Sequence, residues 1–582
     1  MSPPNILPTF FKDTSSKELT HSEEGNDHEL SGLLSGVQKD LNAQQEQDAE
    51  GRRRLSNWLG VDDDDSTPIR RSRRQRVVLS AGLFIMLILG ATFLPPFFSC
   101  NTTSNKKSHP NAQFVGSELR SNGTHDFKRT VLLVSIDGLR ADYLDRGFTP
   151  HLLDISKKGL RAKYMKPIFP TLTFPNHWTL MTGLYAESHG IVANNFWDPQ
   201  TDEEFHYNQE SSTWVSSWWF GEPMWETTSR ANVISANLMW PGPPKTSTGA
   251  SPTYFVPWKD HIPLGEKLDQ IMRWIDLPLE ERPQLILAYE PSLDQAGHKT
   301  GPYSSLVNGT LKYVDTFAKD LHTQLVTRNL TEIVDVVFVS DHGMTDTSHP
   351  ELVYMDDDNL MGEKGVSCVE HDDGWPSKGM RFSTANGCNG TQILQSLLDA
   401  AEEDEAKGKI RFDVYTLETM PERYHFSNNE RIAPVYVVPR MGYALTTRAE
   451  GDDGLSKGNH GYDNDDPSMY AMFVAHGPFS TNAKDIHSKR SSNLFSRSIF
   501  SRFAKQNPPN VTPGWHSTAN SAYVMKGFQN VELYGLVMKL LGLEKWSAPN
   551  NGTVGFWDKR CNAKLLRDST AVIIIIISPQ GS

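Results

Sequence analysis

The sequence predicts an α/β fold, a central mostly parallel sheet flanked by helices, on three observations. TVLLVSID (Thr130 to Asp137), QLILAYE (Gln284 to Glu290) and DVVFVSD (Asp335 to Asp341) are short runs rich in Val, Ile and Leu, bounded by turn-forming or acidic residues. A strand buried on both faces of a parallel sheet reads this way, although any one run taken alone also fits a piece of buried helix. Helical stretches lie between them, LGEKLDQIMRWI (Leu264 to Ile275) and VDTFAKDLHTQLV (Val314 to Val326), giving the alternation of an α/β domain. Finally, acidic and imidazole side chains collect at the carboxyl ends of the runs, where open α/β sheets bind their ligands.

Ahead of the sheet, residues 1 to 76 are rich in Ser, Asp, Glu, Gln and Arg and poor in aromatics, so they cannot bury enough apolar surface to offset the entropy of ordering. They are expected to form a disordered cytosolic tail. RRRLS (Arg52 to Ser56) fits a phosphorylation site and the arginines at 70 to 76 a nuclear signal, but both fit a topology flank better. Val77 to Phe98 is a run of about 20 uncharged residues, long enough to cross a bilayer as a helix and too far from Met1 for an ordinary signal peptide. Arg70, Arg71, Arg73, Arg74 and Arg76 precede it and no such cluster follows. The positive-inside rule then gives a single-pass type II membrane protein with everything after 98 extracellular or luminal, at the plasma membrane or in a vacuole.

The N-x-S/T pattern agrees, occurring at Asn101, Asn122, Asn308, Asn329, Asn389, Asn510 and Asn551 and never before the span, as expected for N-linked glycans on an ectodomain. Residues 99 to 129 read as a stalk and 130 to 565 as the catalytic domain, with an exposed polar insertion at 486 to 522. Residues 566 to 582 form a tail containing AVIIIIIS, too short to span a membrane. An oxidising compartment lets the four cysteines pair, Cys368 with Cys388 as the preferred bridge and Cys100 with Cys561 as the remaining one. The net charge of -13 excludes binding to nucleic-acid backbone as the main role.

The run ends offer Asp137 in SIDG, Asp294 and His298 in EPSLDQAGH, Asp341 and His342 in SDHG, and further on His460 in GNHGYD. Three carboxylates and three imidazoles are costly to bury together unless a cation neutralises them, and mixed oxygen and nitrogen ligands suit zinc, with manganese second. Asp294 and His298 are four apart, so one helical turn aims both at one ion. Asp341 and His342 are adjacent, and a strand would send them to opposite faces, so the chain must turn there, with Gly343 permitting it. Singly, each Asp also fits a cap and each His a satisfied polar group; the collection points to metal. Six groups divide into two sites of three with open positions, and two ions about 4 Å apart form the clamp used for in-line displacement at phosphorus.

FPTLTFPNHWTLMTG (Phe169 to Gly183) sets Thr173, Phe174, Pro175, Asn176 and His177 between two apolar segments. Alone it reads as a turn with a capping hydroxyl. Beside two metal sites, Thr173 becomes an attacking group whose pKa a metal would lower. Pro175 is expected to hold off the start of the following helix, and His177 to pack or to stand behind the ligands.

Given these motifs, the chain from about 130 to 556 resembles the nucleotide pyrophosphatase/phosphodiesterases of the alkaline phosphatase superfamily. The resemblance runs in order through SIDGLRADYL, PTLTFPNHWTLMTGLYAESHGIVANNFWDP, GEPMWET, MWPG, EPSLDQAGHKTGP, VSDHGM, GNHGYDN, FQNVELYGLVMKLLGL and APNNGT. It implies an alkaline phosphatase-like fold and two Zn2+ ions, one bound by Asp294, His298 and His460, the other by Asp137, Asp341, His342 and the nucleophile Thr173. It implies that Phe174 gives a backbone N–H to the phosphoryl oxygen and its ring to the base, and that Asn194 in VANNFW donates to the same oxygen. Tyr254 in PTYFVPW looks like the partner that sandwiches the nucleobase; like Trp197 and Trp240, it also fits a packing aromatic.

The implied reaction is attack of Thr173 on the α-phosphorus of a nucleoside triphosphate or dinucleotide, then hydrolysis of the phosphothreonine to a nucleoside monophosphate, by a monomeric enzyme of nucleotide or phosphate salvage. A choline phospholipid phosphodiesterase of the same fold and a non-catalytic ectodomain are the alternatives. Phosphomonoesterase activity is disfavoured, because no arginine suited to a dianionic phosphate is evident near Thr173. Residues 99 to 129 are too few for the cysteine-rich modules of larger animal members, and no nuclease-like domain is expected.

Overall fold

A computed structural model describes residues 119–558 apart from 386, 452–454, 481–482 and 484–522. The expected tail, membrane span, insertion and AVIIIIIS stretch, most of the stalk, and Cys100, Cys561, Asn101 and Asn510 lie outside the described residues. Among the described residues, no helix is long and apolar enough to cross a membrane.

The aliphatic runs become strands of an eight-stranded sheet: β1 (Thr130–Ile136), β2 (Leu160–Ala162), β3 (Ser235–Leu238), β4 (Tyr254–Val256), β5 (Leu285–Glu290), β6 (Val334–Val339), β7 (Phe473–His476) and β8 (Tyr523–Met525). Their order is β8-β2-β7-β6-β1-β5-β3-β4. Strand β7 is antiparallel to both neighbours and the other pairings are parallel. Strands β1, β5 and β6 are buried at every residue, which is why they carry no polar alternation.

Successive side chains of a strand serve opposite faces. Val131, Leu133, Leu285, Leu287, Val337 and Val339 share one core cluster with Trp178 of helix α2 (Thr173–Thr182) and Leu536 of α6 (Glu532–Leu541). On the other face, Val336 and Phe338 meet Ile155 of α1 (Pro150–Lys158) and Leu321 and Leu325 of α5 (Ser305–Thr327). Helix α3 (Leu264–Ile275) has the span its periodicity predicts. Helix α5 starts upstream of the predicted Val314, because the Ser304 hydroxyl accepts the Val307 N–H at 3.1 Å and so caps it. Between β5 and α5 lies α4 (Ser292–Thr300).

A smaller antiparallel sheet, Val369–Asp373, Lys378–Phe382, Val435–Pro439 and Phe412–Thr416, packs with the helix Gly390–Ala406 around Met380, Leu397, Phe412 and Val437. The expected Cys368–Cys388 bridge is present in this unit.

Candidate metal centre and nucleophile

The parallel strands deliver their functional groups just past their last residues. Asp137 follows β1, and Gly138 then turns the chain with φ 66°. A Cβ on Gly138 would stand 3.2 Å from Asp294, so this glycine also lets α4 approach. Glu290 ends β5 and fixes the start of α4: Oε1 accepts the Ser292 N–H at 3.0 Å, while Oε2 holds the buried Lys267 ammonium at 2.7 Å. Helix α4 carries both Asp294 and His298. Asp341 and His342 follow β6, and here the structure corrects the expected role of Gly343. Its φ is not positive; a Cβ there would fall 1.9 Å from the Ser468 carbonyl oxygen, so glycine is needed for close backbone approach. His460 comes from the loop after Gly458–Asn459 and lies flat on His342, ring centroids 3.5 Å apart.

These six side chains meet. His298 Nε2 is 3.4 Å from Asp294 Oδ2 and 3.0 Å from His460 Nε2, which is 3.4 Å from Asp294 Oδ1. His342 Nε2 lies 2.9 Å from Asp341 Oδ2, 3.3 Å from Asp137 Oδ1 and 3.2 Å from Thr173 Oγ1. The other nitrogen of each ring donates to a backbone carbonyl: His298 Nδ1 to Gly458, His342 Nδ1 to Gly343 and His460 Nδ1 to Thr171, at 2.8–2.9 Å. With the hydrogen on Nδ1, three bare Nε2 lone pairs point inward, the form that ligates metal.

Facing them, Asp137 Oδ1, Asp294 Oδ1 and Asp341 Oδ2 are buried, and none accepts a hydrogen bond from a donor among the described residues. Acceptors turned on acceptors in a buried space repel unless cations lie between them, so the donor set fits metal ions. Ligand atoms of Asp294, His298 and His460 lie within 4.8 Å of one another, and so do those of Asp137, Asp294 and His342. Without an ion the same groups perturb one another in both directions, and although burial opposes a charged His342, Asp341 outweighs it and raises that imidazole. Burial, with Asp341 and Asp294 nearby, pushes the Asp137 carboxyl well above the usual range. Burial acts against ionisation of Asp341 too, but His342 and His177 outweigh it and hold Asp341 well below. Burial, with His342 and His298 adding to it, pushes His460 well below an ordinary imidazole.

Helix α2 begins at Thr173 itself, so Pro175 does not hold off its start as expected. It sits in the first turn, where its missing N–H has no partner to lose. Asn176 closes the approach to Thr173. Its Oδ1 accepts from the Ile168 N–H and from Asn530 Nδ2, both at 2.9 Å, and its Nδ2 donates to the carbonyls of Pro170 and Leu172 at 3.0 and 2.9 Å.

The Phe174 N–H donates to Asn194 Oδ1 at 3.0 Å, so the two groups expected to serve one phosphoryl oxygen are adjacent. The Phe174 ring touches Phe205, Tyr207 and Trp219. Tyr207 is 42% exposed, and its N–H donates to the Asn194 carbonyl. Tyr254 lies on edge strand β4; its hydroxyl donates to the Glu281 carbonyl and its ring contact is with Trp274. Trp197 stacks on His371, and Trp240 meets His177 edge-on. Sequence reasoning missed Tyr207, Trp219 and Tyr289, whose hydroxyl donates to Asp137 Oδ2 at 2.5 Å. For Tyr289 a signal existed, as the one aromatic in an otherwise aliphatic run, beside the strand end.

The family model described as type I phosphodiesterase / nucleotide pyrophosphatase matches residues 131–463. A pyrophosphatase/phosphodiesterase of Schizosaccharomyces pombe, itself described as uncharacterized, is 38% identical over 437 residues, 74% of this chain and 80% of that protein. Ectonucleotide pyrophosphatase/phosphodiesterase family member 3 of Rattus norvegicus is 31% identical over 447 residues, 76% of this chain, which spans only 45% of that protein. The venom phosphodiesterase of Naja atra is 31% identical over 432 residues, 73% of this chain and 45% of its own length. Among solved structures, murine ectonucleotide pyrophosphatase/phosphodiesterase 5 matches with a TM-score of 0.60 at 28% identity, over 74% of this chain and 99% of that one. An inactive threonine-to-alanine variant of the same murine protein, in complex with AMP, matches with a TM-score of 0.60 at 27% identity, again over 74% and 99%.

Proposed function

This chain belongs to the type I phosphodiesterase / nucleotide pyrophosphatase family, hydrolases of phosphodiester bonds, and from that premise we propose that it cuts nucleotides at a two-zinc centre with Thr173 as nucleophile. The substrates are nucleoside triphosphates or dinucleotides, and the products a nucleoside monophosphate with pyrophosphate or a second nucleotide. The observation that carries this reading is the inward set of three bare imidazole nitrogens and three unpartnered carboxylate oxygens, with Thr173 Oγ1 3.2 Å from His342 Nε2. The inactive threonine-to-alanine relative holding AMP supports both the nucleophile and the nucleotide.

Asp294, His298 and His460 would hold one zinc, and Asp137, Asp341 and His342 the other. Zinc, when bound, lowers the pKa of the threonine hydroxyl and offsets charge on the phosphoryl oxygens. Thr173 Oγ1 bonds to the α-phosphorus as the leaving oxygen departs, and water then cleaves the phosphothreonine and restores the hydroxyl. Thr173 opens helix α2, so the positive end of that helix faces the anion. The Phe174 N–H, joined by the Asn194 side chain, orients one phosphoryl oxygen. The Phe174 ring, with Phe205, Tyr207 and Trp219 behind it, offers the base an aromatic wall.

The same proposal includes type II anchoring through Val77–Phe98 with a cytosolic N-terminus, supported by the arginine flank and the one-sided glycan acceptor pattern. The test is a substrate panel on the full chain loaded with zinc, scoring nucleoside monophosphate release from ATP beside hydrolysis of lysophosphatidylcholine. Thr173→Ala is expected to lower kcat by about a thousandfold or more while metal analysis still finds two zinc ions. A variant as active as wild type, or a wild type that spares ATP and takes the phospholipid, would sink the reading.

A further inference from the structure

The segment that carries the nucleophile also carries a histidine that the reaction so far leaves without a task. His177 is fully buried one helical turn after Thr173. Its Nδ1 lies 2.9 Å from the Thr173 carbonyl oxygen and 3.3 Å from Asp341 Oδ2, and its Nε2 lies 2.9 Å from Ser135 Oγ on β1. The partners fix the proton. A carbonyl and a carboxylate only accept, so Nδ1 carries the hydrogen and the Ser135 hydroxyl donates to Nε2.

This assignment separates His177 from the other three histidines. Its ring has atoms close enough to Asp137 and Asp341 to count as a ligand candidate, yet the nitrogen on that side bears a hydrogen and the other is occupied by Ser135. The rings of His298, His342 and His460 instead turn bare Nε2 atoms toward the centre. Trp240 and Tyr289 meet the His177 ring edge-to-face, centroids 5.3 and 5.0 Å away, so it cannot tilt to offer a lone pair.

Resting on the two-metal phosphodiesterase reading above, we propose that His177 is a positioning residue. One N–H, donated to the Thr173 carbonyl with Asp341 Oδ2 standing 3.3 Å away, sets the spacing between the nucleophile's helix and a carboxylate of the second metal site. Ser135 guards the tautomer that makes this N–H available.

The test compares His177→Ala, His177→Gln and His177→Asn in the full chain, because the Asn carboxamide reproduces the Nδ1 position and the Gln carboxamide that of Nε2. Two quantities are read: zinc affinity by competition with a chromophoric chelator, and kcat and KM on a nucleotide p-nitrophenyl ester. In His177→Ala and His177→Gln, affinity for one of the two zinc equivalents should fall about 10- to 100-fold, with kcat lowered and KM little changed; His177→Asn should recover most of both. Ser135→Ala keeps the ring in place and should weaken the same equivalent severalfold, which covers the case of His177 variants that do not fold. The proposal is overturned by wild-type zinc affinity in Ser135→Ala and His177→Ala, or by Asn and Gln variants that behave alike. Wild-type protein that binds two zinc ions but hydrolyses no nucleotide ester would instead undo the reading it rests on.

Discussion

Asn176 uses both ends of its carboxamide on the chain that leads into Thr173, and that makes it a sensitive point of failure beside the candidate nucleophile. Replacing it with Ala leaves the buried Ile168 N–H and the Asn530 amide without their partner. Asn176→Ala is expected to lower stability by about 2–4 kcal/mol and to lower kcat as well, read by urea denaturation and single-turnover hydrolysis. The six candidate ligands were legible in the sequence because carboxylates and imidazoles at strand ends have few other ways to be buried. The place of His177 behind the ligands was legible but its partners were not, and Asn176 was not legible at all, since what the two do depends on Ser135 in β1 and on Asn530. A side chain whose meaning lies in distant acceptors leaves no local pattern.

At the scale of elements, β6 combines an end that leads into two candidate ligands with a costly residue near its start. Burial pushes the Asp335 carboxyl up to about 7, against the opposing help of the Phe479 N–H and of Arg120 and Arg129. The folded state therefore holds its proton longer than the unfolded chain, which releases it near 4. The stabilisation is complete below that lower value and is lost as pH rises through about 7. Asp335→Asn keeps an acceptor for the Phe479 N–H and removes the titration. Between pH 4 and 7 the wild type should lose on the order of 2–4 kcal/mol relative to the variant, a difference visible in paired denaturation curves.

Helix α3 and the latter part of α5 were legible as helical stretches and strands β1, β5 and β6 as aliphatic runs, whereas α4 was legible only as the turn that sets Asp294 beside His298. Strand β7 did not, because antiparallel insertion beside parallel neighbours is a matter of chain direction, which side-chain pattern does not encode. Helix α2 began earlier than Pro175 suggested, since the first turn tolerates a missing N–H.

Over the whole molecule, the candidate centre joins the ends of three strands to the loop carrying His460, so the acceptor set that fits metal also strains the fold without it. Chelation is expected to lower the melting temperature, and zinc at about 1,000 times its dissociation constant to restore about 4 kcal/mol, as scanning calorimetry would register. The sequence announced the larger sheet through its aliphatic runs. It concealed the smaller one, whose strands such as Val369–Asp373 mix charged and apolar residues.

The bond between Asn176 and Asn530 spans 354 residues. During synthesis, a chain that has emerged as far as His460 already owns every expected ligand and Thr173, yet one of the four bonds that hold Asn176 is still missing. A fragment ending before Asn530 is expected to keep the bonds Asn176 makes to Ile168, Pro170 and Leu172 and to lose the fourth, so the segment that leads into Thr173 would be held more loosely than in the longer chain.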